Sequence, residues 1–264
     1  SVCPEESEDL TCNRFLWKFG FNAARYEDEY VLFRNRNVQF REEVLRMSPR
    51  PSEDERAAVR SSGVNLFVSV EHFLENLLCY NVWLMASDHF TGTHFLYTKH
   101  DALTAVAIAL GEEIESGDEV FRWSIDGTNT IGVLLAYLNA FRAWLRGRSD
   151  ADRCAVERHE ADYPHYAKDT LWVFPFRHTQ LWADTAPEVM AAYLDVIDKL
   201  SSQLAQSELT LVRNGLDHKR EYDTFPSTDS MLACEARLQQ VLDTADSKRL
   251  LPKLYWGTRS DHDS

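Results

Sequence analysis

Arg213, Asn214 and His218 form the pattern R-N-x-x-x-H inside the stretch 211–220, and these residue types suit cleavage of RNA by its own 2′-hydroxyl. A histidine can move a proton near neutral pH. An arginine is permanently charged and can hold a phosphate while charge develops on its oxygens. That reaction requires no metal, no cofactor and no nucleophile from the protein. The bare spacing is weak, because chance alone supplies about 0.7 Arg-to-His pairs of this separation; requiring asparagine after the arginine lowers this to about 0.03. No other arginine in the chain has a histidine five residues later. The plainer reading of the same residues is a solvated helix end, where Arg213, His218, Lys219 and Arg220 complement the helix dipole.

Geometry sets a condition on the chemistry. Five residues at about 100° each put Arg213 and His218 roughly 140° apart on an unbroken helix, too splayed to converge on one phosphate. A distortion at Gly215 or a helix start within the motif would relax this. A symmetric dimer would instead set a second Arg213 and His218 opposite the first, and would gather Lys219 and Arg220 from both chains as RNA-binding residues.

The elements that must position the motif read as helices. Leu66, Val70, Phe73, Leu74, Leu77 and Leu84 recur at helical spacing and predict a helix over about 64–86. Glu71, His72, Glu75 and Asn76 flank it as polar groups, read as a solvated face, although a carboxylate there could orient His218. Asp101 is expected to cap a helix running to about Glu115, which Ser116-Gly117-Asp118 closes. Thr128 can cap another, with Ile131, Leu134, Leu135, Leu138 and Leu145 as its buried stripe. Arg142, Arg146 and Arg148 crowd its end, where cations complement any helix dipole; Arg142 and Arg146 are the remote candidates for an RNA backbone. Pro187 and Glu188 open a helix over about 187–206, and Ser227 or Thr228 opens one over about 228–246.

Other stretches are less regular. Residues 22–47 fit either a short hairpin through Asn35 and Asn37 or a charged helix, and Arg34, Arg36 and Arg41 read there as a solvated face. Ser48-Pro49-Arg50-Pro51-Ser52 is the clearest break. Residues 149–184 suggest an aromatic flap with Trp172, Phe174, Phe176 and Trp182, or in functional guise a platform for unpaired bases. Neither His89, His94 and His100 nor Cys154, His159 and His165 have the paired spacing of a metal site. The chain is therefore expected to be an all-α bundle of about five or six helices over 61–256, with an N-terminal appendage at 1–60 and a polar tail at 257–264.

Arg213-Asn214 through His218 resembles the signature of HEPN domains, small α-helical bundles many of which are metal-independent ribonucleases. In that family the motif sits near the start of a helix late in the bundle, as the flanking helices expected here allow. The resemblance implies catalytic roles for Arg213 and His218, with Asn214 as hydrogen-bonding support. It implies RNA as substrate, a homodimer or paired HEPN units, and an antiviral or toxin-type role, alone or with other domains of a larger defence complex. One subfamily carries a tyrosine two residues after the histidine; Arg220 stands there in this chain, against that subfamily's mode of regulation. The rival expectations are a non-catalytic HEPN-like module for dimerisation or nucleotide sensing, and an ordinary helical interaction domain.

Composition bounds these readings. With 264 residues, 44% hydrophobic and 12% aromatic, the chain can build a large core, and its 10 glycines and 8 prolines are too few for disorder. A net charge of −14 counts against broad nucleic-acid binding but leaves room for a narrow basic groove. The five scattered cysteines read as reduced thiols of a cytoplasmic protein. No apolar run reaches membrane-spanning length, and the first residues lack the pattern of a signal peptide. The absence of an initiating methionine suggests a portion of a longer protein or a tag-cleaved chain.

Overall fold

Ser52 opens the longest element. Its hydroxyl accepts a hydrogen bond from the Glu55 amide at 3.2 Å, and the Glu55 carboxylate accepts from the Ser52 amide at 2.6 Å. This capping box satisfies two of the donors that every helix start leaves bare. Backbone hydrogen bonds from Ser52 and then Ser48 hold the Glu55 carboxyl down to about 2. The computed structural model describes residues 12–13, 16–17, 23–88, 96–149, 180–217 and 225–253. Two helices lie on either side of the Ser48–Ser52 break, α1 (Ala23–Arg46) and α2 (Glu53–Ala86). After them come α3 (Lys99–Leu110), strands β1 (Glu113–Ser116) and β2 (Glu119–Arg122), and α4 (Ile131–Ser149). The single turn α5 (Leu181–Asp184) precedes α6 (Pro187–Gln206), α7 (Leu209–Asp217) and α8 (Thr228–Ser247). The all-α expectation holds, with seven helices of nine residues or more among the described residues.

Every residue of α2 from Phe73 to Trp83 is buried, so its second half is enclosed on all sides and the other helices assemble around it. Helices α1, α3, α4 and α7 all pack on α2, while α8 packs on α1 and α6. The ambiguity at 22–47 is resolved as helix. Tyr30, Phe33, Asn37, Phe40 and Val44 are buried at spacings of three and four, and Phe33 and Phe40 meet Phe73 and Phe67 of α2. Residue 60, expected as the edge of an appendage, lies inside α2, and α1 belongs to the same apolar cluster as the later helices. The polar tail at 257–264 lies outside the described residues.

Two local readings are corrected. The cap of α3 is Thr98, whose hydroxyl accepts from the Asp101 amide at 3.1 Å, rather than Asp101 itself. That helix stops at Gly111, with φ at +100°, and the chain turns into a hairpin rather than continuing to Glu115. Ser116 pairs with Glu119 across Gly117-Asp118, and Gly117 takes φ +63° in the first turn position, which a type II′ hairpin turn reserves for glycine. The later helices at 187–206 and 228–247 start as expected, with Pro187 in the first turn and Ser227 as cap.

A buried polar network pins three of these elements together. Glu75, 7% exposed on α2, is paired with Lys99 at the start of α3 at 2.8 Å. Its other oxygen accepts from the Asn129 amide group at 3.0 Å, just ahead of α4. Lys99 also donates to Asn76 at 2.7 Å. Cys79 and Cys234 are buried free thiols whose pKa burial pushes up to about 12, which makes them inert packing groups; Cys12 is half-buried. Among the described residues no helix is long and apolar enough to cross a membrane.

Candidate functional site

Leu209, Val212 and Leu216 follow the helical spacing of three and four, and all three are buried, which fixes the orientation of α7. The opposite face carries Leu211, 66% exposed, and Asn214, also exposed. Arg213 stands at the edge between them. The helix begins after Glu208, which adopts φ +52°, so α6 and α7 meet at a sharp corner. Ser207 secures that corner: its hydroxyl donates to the Leu204 carbonyl at 2.6 Å and accepts from the Leu209 amide at 3.3 Å. Arg213 thus lies in the second turn of α7, not at a helix start. Gly215 continues the helix to Asp217 without a break.

The guanidinium of Arg213 reaches across to α2. Its Nη2 donates to Glu71 Oε1 at 3.2 Å, with the two side chains 30% and 23% exposed. An ion pair this wet contributes up to about 1 kcal/mol. That is enough to orient the guanidinium and too little to keep out a phosphate, which offers charge-assisted bidentate hydrogen bonds. Glu71 reads from the sequence as one polar flank of a long helix, with a carboxylate there able to orient His218 but not assigned to Arg213. Its partner is 142 residues away, and no local pattern indicates it.

Close approach seats α7. A Cβ at Gly63 of α2 would stand 2.7 Å from Leu216 Cδ1 and 3.4 Å from Phe40 Cε2. Alanine there would gain about 1 kcal/mol of helix propensity against that crowding. Gly63→Val adds branching that the buried Leu216 cannot avoid, and it is expected to cost about 1–3 kcal/mol as overpacking. A thermal melt equal to wild type would show that α7 does not depend on this contact.

The other sequence-derived candidates separate in space. His218, Lys219 and Arg220 lie outside the described residues. Arg142 and Arg146 of α4 both turn to Asp198 of α6, with Arg142 Nε at 2.7 Å and Arg146 Nη2 at 3.0 and 2.9 Å from its two oxygens. Arg142 also donates to Asn139 and Ser201. Burial raises the Asp198 carboxyl, but hydrogen bonds from both arginines outweigh it and leave the group below its ordinary range. Two guanidiniums on one carboxylate keep a net positive charge at this seam, on a different packing interface from Arg213. Of the expected aromatic flap, Trp182 is described and buried. It packs edge-on to Trp144, and Arg148 lies 5.1 Å from both ring centroids, so that indole is not open to a base. Trp172, Phe174 and Phe176, like Cys154, His159 and His165, lie outside the described residues. No family model, no curated protein and no solved structure matches this chain.

Proposed function

We propose that the chain is a metal-independent endoribonuclease acting at a composite site formed by two copies. The observation that carries the reading is the position of Arg213: its guanidinium is partly exposed beside exposed Asn214, late in an all-α bundle, and an ion pair with Glu71 helps to aim it. In the reaction the 2′-oxygen bonds to phosphorus and the bond to the 5′-oxygen breaks. A proton leaves the 2′-hydroxyl and one arrives on the 5′-oxygen, giving a 2′,3′-cyclic phosphate and a 5′-hydroxyl. Arg213 holds the phosphate oxygens as charge accumulates on them. His218 is assigned the proton transfer from the sequence pattern alone.

Cleavage is expected to persist in excess EDTA and to leave cyclic phosphate or 3′-phosphate ends, read on a labelled RNA ladder. Loss on chelation with recovery on adding magnesium would point to a different nuclease chemistry.

The helix runs unbroken through Gly215 to Asp217, so the reading draws on a second chain rather than on a distortion at Gly215 to complete the site. Mixing wild type with an excess of Arg213→Ala/His218→Ala chains should lower activity per wild-type chain as heterodimers form. A constant activity per wild-type chain means that one chain holds a complete site. A second reading draws on the same ion pair: an arginine already matched by Glu71, in a chain of net charge −14, also suits a non-catalytic HEPN-like dimerisation or nucleotide-sensing module. RNA left intact by a chain that still dimerises would favour it.

A further inference from the structure

Arg36 of α1 is anchored without being neutralised. Its Nη1 donates to Ser69 Oγ at 2.7 Å and to the Asn65 carbonyl at 3.2 Å, both on α2 and both uncharged. Among the described residues no carboxylate forms an ion pair with it, whereas Arg34, Arg142, Arg146 and Arg213 each have one. Arg36 lines a cavity of about 140 Å³ between α1 and α2. His72 and Ser69 supply polar groups to the same cavity, and Leu32, Val68 and Phe73 supply apolar wall. The sequence alone suggests a solvated arginine here. A solvated side chain would not need two acceptors fixing one nitrogen while its charge stays open.

We propose that this cavity binds a phosphodiester, with Arg36 as its cation and His72 as a second hydrogen-bonding group. Charge selects the ligand class. Glu29 also lines the cavity, its carboxylate held by the Asn76 amide at 2.7 Å, and Asn76 is held in turn by Lys99. A fixed negative charge at the rim penalises the second charge of a phosphomonoester and tolerates the single charge of a diester. The apolar wall suits the sugar and base edge beside such a group.

Two sources present this chemistry, the backbone of single-stranded RNA and a small cyclic nucleotide, and position favours RNA. Ser69 and His72 meet the cavity on one flank of an α2 turn, and Glu71 holds Arg213 on another flank of that turn. The two guanidiniums therefore approach about one helix width, near 10 Å, and a single strand could engage both. The choice of RNA rests on the ribonuclease reading; the phosphodiester contact does not.

The test uses the full chain and a fluorescent 2′-O-methyl RNA ten-mer, which cannot be cleaved, with Kd measured by anisotropy across a salt series. Arg36→Gln should weaken binding several-fold and flatten the log–log salt slope by about 0.7, the loss of one phosphate contact on a single strand. Arg36→Lys should keep the slope, and Glu29→Gln should narrow the preference for 3′,5′-cyclic AMP over AMP in parallel titrations. If only cyclic AMP binding depends on Arg36, the site stands with a small diester as its ligand. Binding of both RNA and cyclic AMP unchanged in Arg36→Gln, or no binding of either probe by wild type, overturns the proposal. Arg36-dependent binding by a chain that never cleaves RNA would sink the nuclease reading and leave this one intact.

Discussion

An Arg213→Ala chain is expected to cleave RNA about 10²–10³-fold more slowly than wild type, the usual loss when one charge-stabilising donor is removed from a reacting centre. His218→Ala should lose about 10²–10⁴-fold, as for a general acid or base. Stability should change little for Arg213→Ala, because the guanidinium is partly exposed and its pairing with Glu71 contributes up to about 1 kcal/mol. That separation of effects distinguishes a reacting group from a structural one. Glu71→Gln, which leaves Arg213 in place but less firmly aimed, should give a smaller loss than Arg213→Ala. Full activity in either the Arg213 or the His218 variant removes the catalytic assignment. Activity lost together with the folded signal in circular dichroism would instead make Arg213 a packing residue.

Glu75→Ala should destabilise the bundle. The carboxylate is 9% exposed, and its removal takes from Lys99 its charged partner and from the Asn129 amide group one of its two acceptors. Because Lys99 is 35% exposed and keeps its bond to Asn76, the loss is that of a charge-assisted hydrogen-bond partner, about 1–3 kcal/mol. In a protein of this size that lowers Tm by about 5 °C. Glu75→Gln should recover part of the loss, because it keeps an acceptor for Asn129 and forfeits only the charge that Lys99 faces. An alanine variant within a degree or two of wild type would mean that water replaces the carboxylate and the network is open to solvent.

Much of the fold is legible in the order of residues. Pro187 at a helix start, Ser227 as a cap and the buried stripe of α4 are local signals: each joins residues within a few turns, where helical periodicity and capping chemistry operate. The capping box at Ser52 is equally local, and it places the start of α2 at Glu53, eleven residues before the start near 64 that the apolar stripe indicates. The turn at Gly117-Asp118 is also written locally, but the hairpin it closes lies almost entirely exposed, so it lacks the alternation of buried and open positions that identifies a strand.

The candidate site is legible in a different measure. Sequence alone picks out Arg213, Asn214 and His218, because a motif is a matter of spacing. It also fixes the all-α class, because periodicity and caps act over short distances. Tertiary structure decides which charges are committed. Arg142 and Arg146 turn to Asp198, 52 or more residues away, Arg213 turns to Glu71, and Arg36 is pinned by neutral groups of α2. An arginine's charge is the same in every sequence context. Whether it stays available depends on the groups that packing brings within about 4 Å, and the helix crossings that bring them together are set by the whole core at once.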